Sequence, residues 1–247
     1  MIIDIKDKVV VITGSSRGIG NALARGFAQE GARVVINYRQ SEQEASDLFQ
    51  DISALQVDCL KVKADVSQEK EVRLLYEQTL AHFGHVDVLI NNAGICADGS
   101  VDRLTLPEWQ RVIDVNLTGC FLCCKYFVDH MRTRGKGKVF NIASLMGQIG
   151  SAGQTNYATS KAAVIGLTRS LAKELGPSNI LVNCICPGFI QTGLNLGRED
   201  KVARARRHSV LDGSHALDDL VNFLIYASSD CFSGISGQLF HLDARIL

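Results

Sequence analysis

Short runs of apolar residues alternate with longer amphipathic stretches along the whole chain. The first run, Val9-Val10-Val11-Ile12, is apolar at every position, which is typical of a strand buried on both faces of a sheet. We predict strands over residues 9–12, 32–37, 59–62, 86–90, 138–142, 180–185 and 238–242. Helices are predicted from the turn after the first strand to about residue 30, and over 41–55, 68–83, 107–132, 156–175 and 218–227.

Strands of four to six residues that alternate with helices indicate βαβ units and a parallel sheet. Because βαβ crossovers are right-handed, the predicted fold is α/β, a Rossmann-like, doubly wound parallel sheet. It has about seven strands with helices on both faces. No linker rich in Pro, Ser or Gly divides the chain, so we predict a single domain over residues 1–247.

Charge and composition exclude several classes of protein. The 26 basic and 26 acidic residues balance, whereas a general nucleic-acid binder usually has a basic excess. No apolar run approaches the ~18 residues of a membrane span, and the first residues do not resemble a secretory signal. The 8 cysteines form no disulfide pattern, and Cys120 and Cys123 lack the partners of a metal site. We therefore expect a cytoplasmic protein with no metal, no nucleic acid and no membrane partner.

A glycine-rich turn, Thr13-Gly14-Ser15-Ser16-Arg17-Gly18-Ile19-Gly20, joins the first strand to the first helix. Glycines allow a sharp turn and let a pyrophosphate approach the helix N-terminus, where free N–H groups favour anions. In a βαβ unit this spacing predicts a dinucleotide site. The alternative is a helix cap that merely packs tightly on the strand.

The end of the second strand bears on the choice between NAD and NADP. NAD-binding proteins usually place Asp or Glu there, whereas this chain has Asn37-Tyr38-Arg39-Gln40. Arg39 and Arg17 are placed to face a 2′-phosphate, which arginine can bind through two hydrogen bonds. The pattern predicts NADP(H). The alternative is that both arginines are solvated surface residues.

Tyr157 and Lys161 are four residues apart on a predicted helix and so share one face. A tyrosine hydroxyl is a poor acid or base at neutral pH, but a nearby ammonium lowers its pKa. The pair therefore predicts acid–base chemistry with a lowered Tyr157 pKa. Taken alone, the same spacing also fits an ordinary amphipathic helix face.

Together these motifs resemble the short-chain dehydrogenase/reductase family, in order and in spacing, over residues 5–242. Further matches follow the glycine turn along the chain. They are Asp65, Asn91-Asn92-Ala93-Gly94, Asn116, Ser144, Tyr157 with Lys161, and Pro187-Gly188 followed by Ile190 and Thr192.

The resemblance implies four catalytic residues. Tyr157 would be the general acid of carbonyl reduction, and Ser144 would polarise the substrate carbonyl. Lys161 would hold the ribose hydroxyls and lower the Tyr157 pKa, and Asn116 would position a water of a proton relay. The residues implied to bind the cofactor are Gly14, Ser15, Ser16, Arg17, Gly18, Ile19, Gly20, Arg39, Asp65, Val66, Asn92, Ala93, Gly94, Tyr157, Lys161, Pro187, Gly188, Ile190 and Thr192.

Segments 89–95, 153–158, 165–168, 171–175 and 187–190 look most like 3-oxoacyl-[acyl-carrier-protein] reductases. This resemblance implies NADPH-dependent reduction of a 3-oxoacyl thioester, linked to acyl carrier protein or CoA, in fatty-acid or polyketide-type synthesis. Two alternatives remain. One is an NADP-dependent reductase or dehydrogenase of a small alcohol, sugar, steroid or acetoacetyl-CoA, and the other is a non-catalytic NADP-binding protein.

Two basic groups are predicted to lie near the entrance of the site, where they would attract an acidic carrier. The second of these groups lies in the segment where the family has its substrate-covering lid. Alternatively, these basic residues form a solvated helix face. The first group is Arg132, Arg134, Lys136 and Lys138, and the second is Arg198, Lys201, Arg204, Arg206 and Arg207.

The family also pairs its subunits through helices that correspond to residues 107–132 and 156–175, so we expect a homotetramer or homodimer. Gly119, Cys120, Cys123 and Cys124 would supply small side chains near that surface. The chain departs from the family at its tail. Ala244 and Arg245 stand where the reductases commonly have two glycines, which puts the shape of the pocket and the assembly in doubt.

Overall fold

A computed structural model describes residues 3–191, 199–211 and 215–245, except for the side chains of Asp200, Lys201, Arg204 and Arg206. It contains a seven-stranded sheet in the order β3-β2-β1-β4-β5-β6-β7, and every neighbouring pair is parallel. The predicted doubly wound α/β fold is thereby confirmed. The strands are β1 (Val9–Ile12), β2 (Arg33–Tyr38), β3 (Cys59–Lys63), β4 (Val88–Asn91), β5 (Gly137–Ile142), β6 (Ile180–Pro187) and β7 (Leu239–Leu242).

Helices cover both faces of this sheet. The long helix predicted over 107–132 is α4, a five-residue π-helical segment (Asp114–Thr118) and α5 in direct succession. The short helix α6 and the helix α8 were not predicted. The helices are α1 (Gly18–Gln29), α2 (Glu42–Ala54), α3 (Glu69–Phe83), α4 (Leu106–Ile113), α5 (Gly119–Arg134), α6 (Met146–Ile149), α7 (Thr155–Leu175), α8 (Glu199–His208) and α9 (Ala216–Ser228).

The alternation of side chains along the strands divides the core into two layers. In β1, Val10 and Ile12 pack on the side of α1, α2 and α9, whereas Val9 and Val11 pack on the side of α3 and α5. All four β1 side chains are fully buried, which explains why this strand is apolar at every position.

The order of the strands fixes where a ligand can bind. β1 lies between β2 and β4, so the crossovers leave β1 in opposite directions and open a crevice at the carboxyl ends of the strands. The glycine turn after β1 and the polar residues after β4 and β5 all meet at this edge.

The first predicted basic group lies at the opposite edge, so its prediction as part of the entrance is wrong. Lys138 is the second residue of β5 and pairs with Val88, the first residue of β4. Lys138 and the residues that precede β5 therefore lie at the amino ends of the parallel strands, opposite the crevice. Arg134 donates to Asp87 Oδ1 at 3.0 Å, and Arg132 pairs with Glu174 at 2.7 Å. In the second group, Arg198 lies outside the described residues, as do the side chains of Lys201, Arg204 and Arg206.

The cysteines of α5 are also placed differently from the prediction. Cys120, Cys123 and Cys124 are buried against the sheet, and a Cβ on Gly119 would lie 2.8 Å from Val66. The three cysteines therefore pack inside the subunit and do not line a surface for a second subunit. On the outer face of α5, Phe121 is exposed. Among the described residues, no helix is long and apolar enough to cross a membrane.

Candidate active site

A cavity of about 880 Å³ lies at the carboxyl ends of the strands, within the size range of ligand sites. Most predicted site residues line it, from the glycine turn at one end to the Tyr157 helix at the other. The predicted residues in its wall are Gly14, Ser16, Arg17, Gly18, Ile19, Arg39, Asp65, Val66, Asn92, Ala93, Gly94, Ser144, Tyr157, Lys161, Pro187, Gly188 and Ile190.

Three predicted site residues do not reach the cavity wall, and a fourth cannot be placed. Ser15 is fully buried and hydrogen-bonds the backbone of Asn37 in β2, so it anchors the glycine turn from behind. Gly20 and Asn116 are also buried beneath the wall. Thr192 lies outside the described residues.

The glycine turn has the shape that a pyrophosphate requires. Gly14 adopts a φ of +62°, which favours glycine, and a Cβ on Gly20 would lie 2.5 Å from the Gly14 carbonyl oxygen. The side chain of Arg17, the residue that precedes α1, does not cap the helix. The first N–H groups of α1 therefore have no side-chain cap from Arg17 and stay available to an anion, so the turn fits the phosphates of a dinucleotide.

Hydrogen bonds join the turn to the end of β4. The backbone N–H groups of Asn92 and Ala93 both donate to Thr13 Oγ1 at 3.0 Å. The Asn92 amide in turn donates to the carbonyl oxygens of Thr13 and Gly14, at 2.9 and 3.2 Å. Because both strands contribute to one network, the floor of the cavity is fixed before any ligand binds.

Arg39 stands at the end of β2 and is held in place by Asp65. Its Nη1 lies 3.3 Å from Asp65 Oδ2, and its Nη2 donates to Gln40 Oε1 at 3.2 Å. Burial alone would raise the pKa of Asp65, but hydrogen bonds from Ser67 and the pairing with Arg39 hold it below its ordinary value. The Arg39 side chain is one-third exposed and lines the cavity, so it can still meet a ligand there.

The other end of the cavity brings together Ser144, Tyr157 and Lys161. Ser144 follows β5 and lines the cavity beside Tyr157, whose pKa its hydroxyl acts to lower. Lys161, one turn later in α7, lies with Nζ 5.8 Å from the centre of the Tyr157 ring. Lys161 Nζ donates to the Ile142 carbonyl oxygen at 2.7 Å, which fixes the ammonium beneath the tyrosine.

The predicted direction of the Tyr157 pKa shift is wrong in this structure. Burial raises the pKa of Tyr157 well above its ordinary value, and the nearby Cys96 adds to this, while the Ser144 hydrogen bond opposes it. Lys161 is also buried, and burial lowers its own pKa. Desolvation therefore shifts both groups toward their uncharged forms, so a phenolate is not favoured.

Asn116 lies in the π-helical segment, and its side chain is almost fully hydrogen-bonded. Its Oδ1 accepts from the Ile95 N–H at 2.8 Å, and its Nδ2 donates to the Ile95 carbonyl and to Ser160 Oγ, both at 3.0 Å. One lone pair of Oδ1 remains for a relay water. Asn116 Oδ1 and Lys161 Nζ both approach Gly94, at 3.5 and 3.6 Å from an ideal Cβ there.

No role was predicted from the sequence for several polar residues at the Tyr157 end of the cavity. Gln154 donates to Asp98 Oδ1 at 2.9 Å, and both residues line the cavity together with His208 and Arg245. Gln154 lies in the quoted segment 153–158 but was given no role there, and the other three residues belong to none of the quoted motifs. Arg245 follows β7, so the rule that ligands bind at carboxyl strand ends could have pointed to it.

A family model described as "short chain dehydrogenase" matches residues 8–203. The chain belongs to the short-chain dehydrogenase family. It is therefore an oxidoreductase of the class that the motifs resembled, and that prediction is confirmed.

Relatives in this family are similar over nearly the whole chain. "3-oxoacyl-[acyl-carrier-protein] reductase FabG" of Staphylococcus aureus is 36% identical over 237 residues, which are 96% of each chain. "3-oxoacyl-[acyl-carrier-protein] reductase" of Synechocystis sp. is 40% identical over 247 residues, 97% of each chain. The crystal structure of a short-chain type dehydrogenase/reductase from Mycobacterium marinum superposes with a TM-score of 0.93 at 31% identity, covering 98% of this chain and 96% of that one.

Proposed function

We propose that this enzyme reduces a 3-oxoacyl thioester to the 3-hydroxyacyl thioester with NADPH. The observation that carries the proposal is the meeting of Ser144, Tyr157 and Lys161 at one end of a single large cavity. The relatives that bear the name of such reductases support the choice of substrate. The acyl group would be linked to an acyl carrier protein or to CoA.

The NADP(H) site extends from the glycine turn to Pro187 and Gly188. The first turn of α1 would hold the pyrophosphate, and Arg39, with Arg17 nearby, would hold the 2′-phosphate. Lys161, whose Nζ faces Gly94, would hold the ribose hydroxyls next to the nicotinamide. When bound, the reduced nicotinamide supplies a hydride to the carbonyl carbon of the substrate.

The proton for the new hydroxyl would come from Tyr157. Its raised pKa keeps the phenol protonated at neutral pH, which is the form that a general acid needs. The Ser144 hydroxyl, which lines the cavity beside Tyr157, would donate to the same carbonyl oxygen as negative charge develops there. Reduction thus leaves a phenolate that must regain its proton.

Lys161 and Asn116 would return that proton. The buried ammonium stabilises the phenolate once it has formed, since the two charges are then opposite. The lone pair that remains on Asn116 Oδ1 can hold one water between Lys161 and solvent. The buried position of Lys161 beneath the tyrosine supports this role over direct contact with the substrate.

The proposal is tested by the oxidation of NADPH in the presence of acetoacetyl-carrier protein or an acetoacetyl thioester. We expect turnover with both, and we expect Tyr157→Phe to lower kcat about a hundredfold or more. The variant loses one hydroxyl, so its folding and its affinity for NADPH should be unchanged. Near-normal kcat in Tyr157→Phe, or reduction of sugar or steroid ketones but of no thioester, would contradict the proposal.

A further inference from the structure

The tail after β7 returns to the cavity and places an ion pair in its wall. Arg245 Nε donates to both carboxylate oxygens of Asp243, at 2.9 and 2.8 Å, and Nη2 donates to Asp243 Oδ2. Both side chains are nearly buried, with 11% of Arg245 and 6% of Asp243 exposed. Arg245 nevertheless lines the cavity, so its remaining exposed part faces the ligand space.

Two backbone contacts fix this pair in position. The Gly188 N–H donates to the Leu242 carbonyl oxygen at 2.6 Å, and a Cβ on Gly188 would lie 3.6 Å from Asp243 Oδ1. On the other side, Arg245 forms an antiparallel bridge with Ser209, and the Val210 N–H donates to the Ala244 carbonyl oxygen. The tail is therefore tied both to the Pro187-Gly188 loop and to the segment after α8.

The pair also lies close to the reacting end of the cavity. Burial raises the pKa of the Cys186 thiol to about 12, and the charges of Asp243 and Arg245 act on the same thiol. Cys186 in turn is among the groups that affect the Tyr157 hydroxyl. Tyr157, Gly188 and Arg245 all line the same cavity, so a ligand whose ketone meets Tyr157 can reach Arg245 with its other end.

The chemistry of the pair selects one kind of ligand group. Asp243 neutralises the charge of Arg245, so the site is built for a neutral acceptor and not for a free anion. Its carboxylate engages Nε and Nη2, while the two N–H bonds of Nη1 stand on the other side of the guanidinium fork. A carbonyl oxygen is the acceptor that such a donor suits.

We propose that Arg245 is a specificity residue that donates a hydrogen bond to the thioester carbonyl oxygen of the substrate. The ketone at Tyr157 and the thioester carbonyl would then each meet a donor of this chain. This inference rests on the proposed function, because it assigns the second oxygen of the same 3-oxoacyl substrate.

The test measures binding to protein loaded with NADP⁺, which cannot reduce a ketone. Titration calorimetry would compare acetoacetyl-N-acetylcysteamine with its thioether analogue, in which CH₂ replaces the thioester carbonyl. We expect the wild type to bind the thioester about tenfold more tightly than the thioether. Arg245→Met should erase this preference, and Arg245→Lys should restore part of it.

Arg33→Met is the matched control, since Arg33 forms an exposed pair with Asp7 at the amino edge of the sheet. The Arg33→Met variant should prefer the thioester over the thioether as strongly as the wild type does. The inference would be overturned if Arg245→Met weakened both ligands equally or neither, or if the wild type bound the thioester no better than the thioether. An Arg245-dependent preference without any NADPH oxidation would uphold the inference and refute the proposed function.

Discussion

At the scale of single residues, burial controls the chemistry of the site more strongly than charge. Tyr157 lines the cavity with its pKa raised, and Lys161 lies beneath the tyrosine with its pKa lowered. Both shifts favour the uncharged form of each group. The enzyme should therefore reduce ketones over a wide range around neutral pH, whereas the reverse oxidation, which needs a phenolate, should speed up as the pH rises.

The preference for NADPH is a property of Arg39. Replacing it by glutamine removes the guanidinium that faces the predicted 2′-phosphate, and leaves Asp65 with its hydrogen bonds from Ser67. We expect Arg39→Gln to weaken NADPH binding about tenfold or more, with little change for NADH, as measured by fluorescence titration of both cofactors.

Arg25→Gln is a suitable control for this change. Arg25 lies in α1 and forms an exposed pair with Asp51 at 2.6 Å, away from the cavity wall. The Arg25→Gln variant should bind NADPH and NADH with the affinities of the wild type. If Arg39→Gln weakened NADH as much as NADPH, Arg39 would have no role in the choice between them.

At the scale of elements, one lysine side chain completes the end of a helix. Lys138 Nζ, which belongs to β5, donates to the carbonyl oxygens of Ala227, Ser229 and Phe232, the last at 2.6 Å. Carbonyls at the end of a helix have no partner within the helix. Lys138 supplies that partner from the sheet and so joins the end of α9 to the amino edge of β5.

Lys138→Met should therefore destabilise the protein while leaving the cavity intact. Methionine keeps the apolar length of the side chain but leaves three carbonyls without their donor, at a cost of about 2–3 kcal/mol. Urea denaturation should show a lower midpoint with an unchanged slope. The neighbouring Lys136 is exposed, so Lys136→Met should have little effect. Equal midpoints for the two variants would show that the three bonds do not contribute.

Elements that carry a sequence motif were predicted more accurately than elements that carry none. The turn after β1 and the Tyr157 helix were predicted because glycine spacing and apolar periodicity reflect backbone geometry directly. The π-helical segment was missed because one extra residue in a helix leaves no distinct pattern in the sequence. Helix α8 was missed because it is strongly charged, and among its described side chains only Ala205 is buried, which gives no apolar stripe.

Two errors could have been avoided with information already in the sequence. Lys138 lies at the amino end of a strand, and the parallel topology alone places it at the edge opposite the site. Cys120, Cys123 and Cys124 follow the spacing of a buried helix face, which contradicts a place on a subunit surface. The side of the cavity formed by Arg245 could not be predicted in detail, because its position depends on the tail pairing with the segment after α8.

At the scale of the whole molecule, the exposed face of α7 fits the predicted assembly. Ala162, Gly166 and Ser170 are exposed and four residues apart, so they form one face of small side chains. A Cβ on Gly166 would meet nothing within 4 Å in the subunit. The face is thus open to close approach by another helix, as a homotetramer or homodimer paired through this helix would require.

Light scattering should give a mass of four or two times 26.9 kDa for the wild type. Gly166→Arg should shift the mass to a smaller species, because arginine fits the isolated subunit but would fill the space of a partner helix. Ala54→Arg, on the exposed end of α2, should not change the mass. A monomeric wild type, or an unchanged mass for Gly166→Arg, would contradict pairing through α7.

The π-helical segment has a consequence for how this chain tolerates changes in length. A residue advances an α-helix by about 100°, but a π turn takes one more residue than an α turn for about the same rotation. The segment Asp114–Thr118 therefore holds an extra residue while α5 keeps its buried face against the sheet. Deleting one residue there would close the segment into regular α geometry and would break the contacts of Asn116 with Ile95 and Ser160, with α5 still in phase. A single deletion inside α5 has no such extra residue to remove and would turn every later residue of the helix by about 100°.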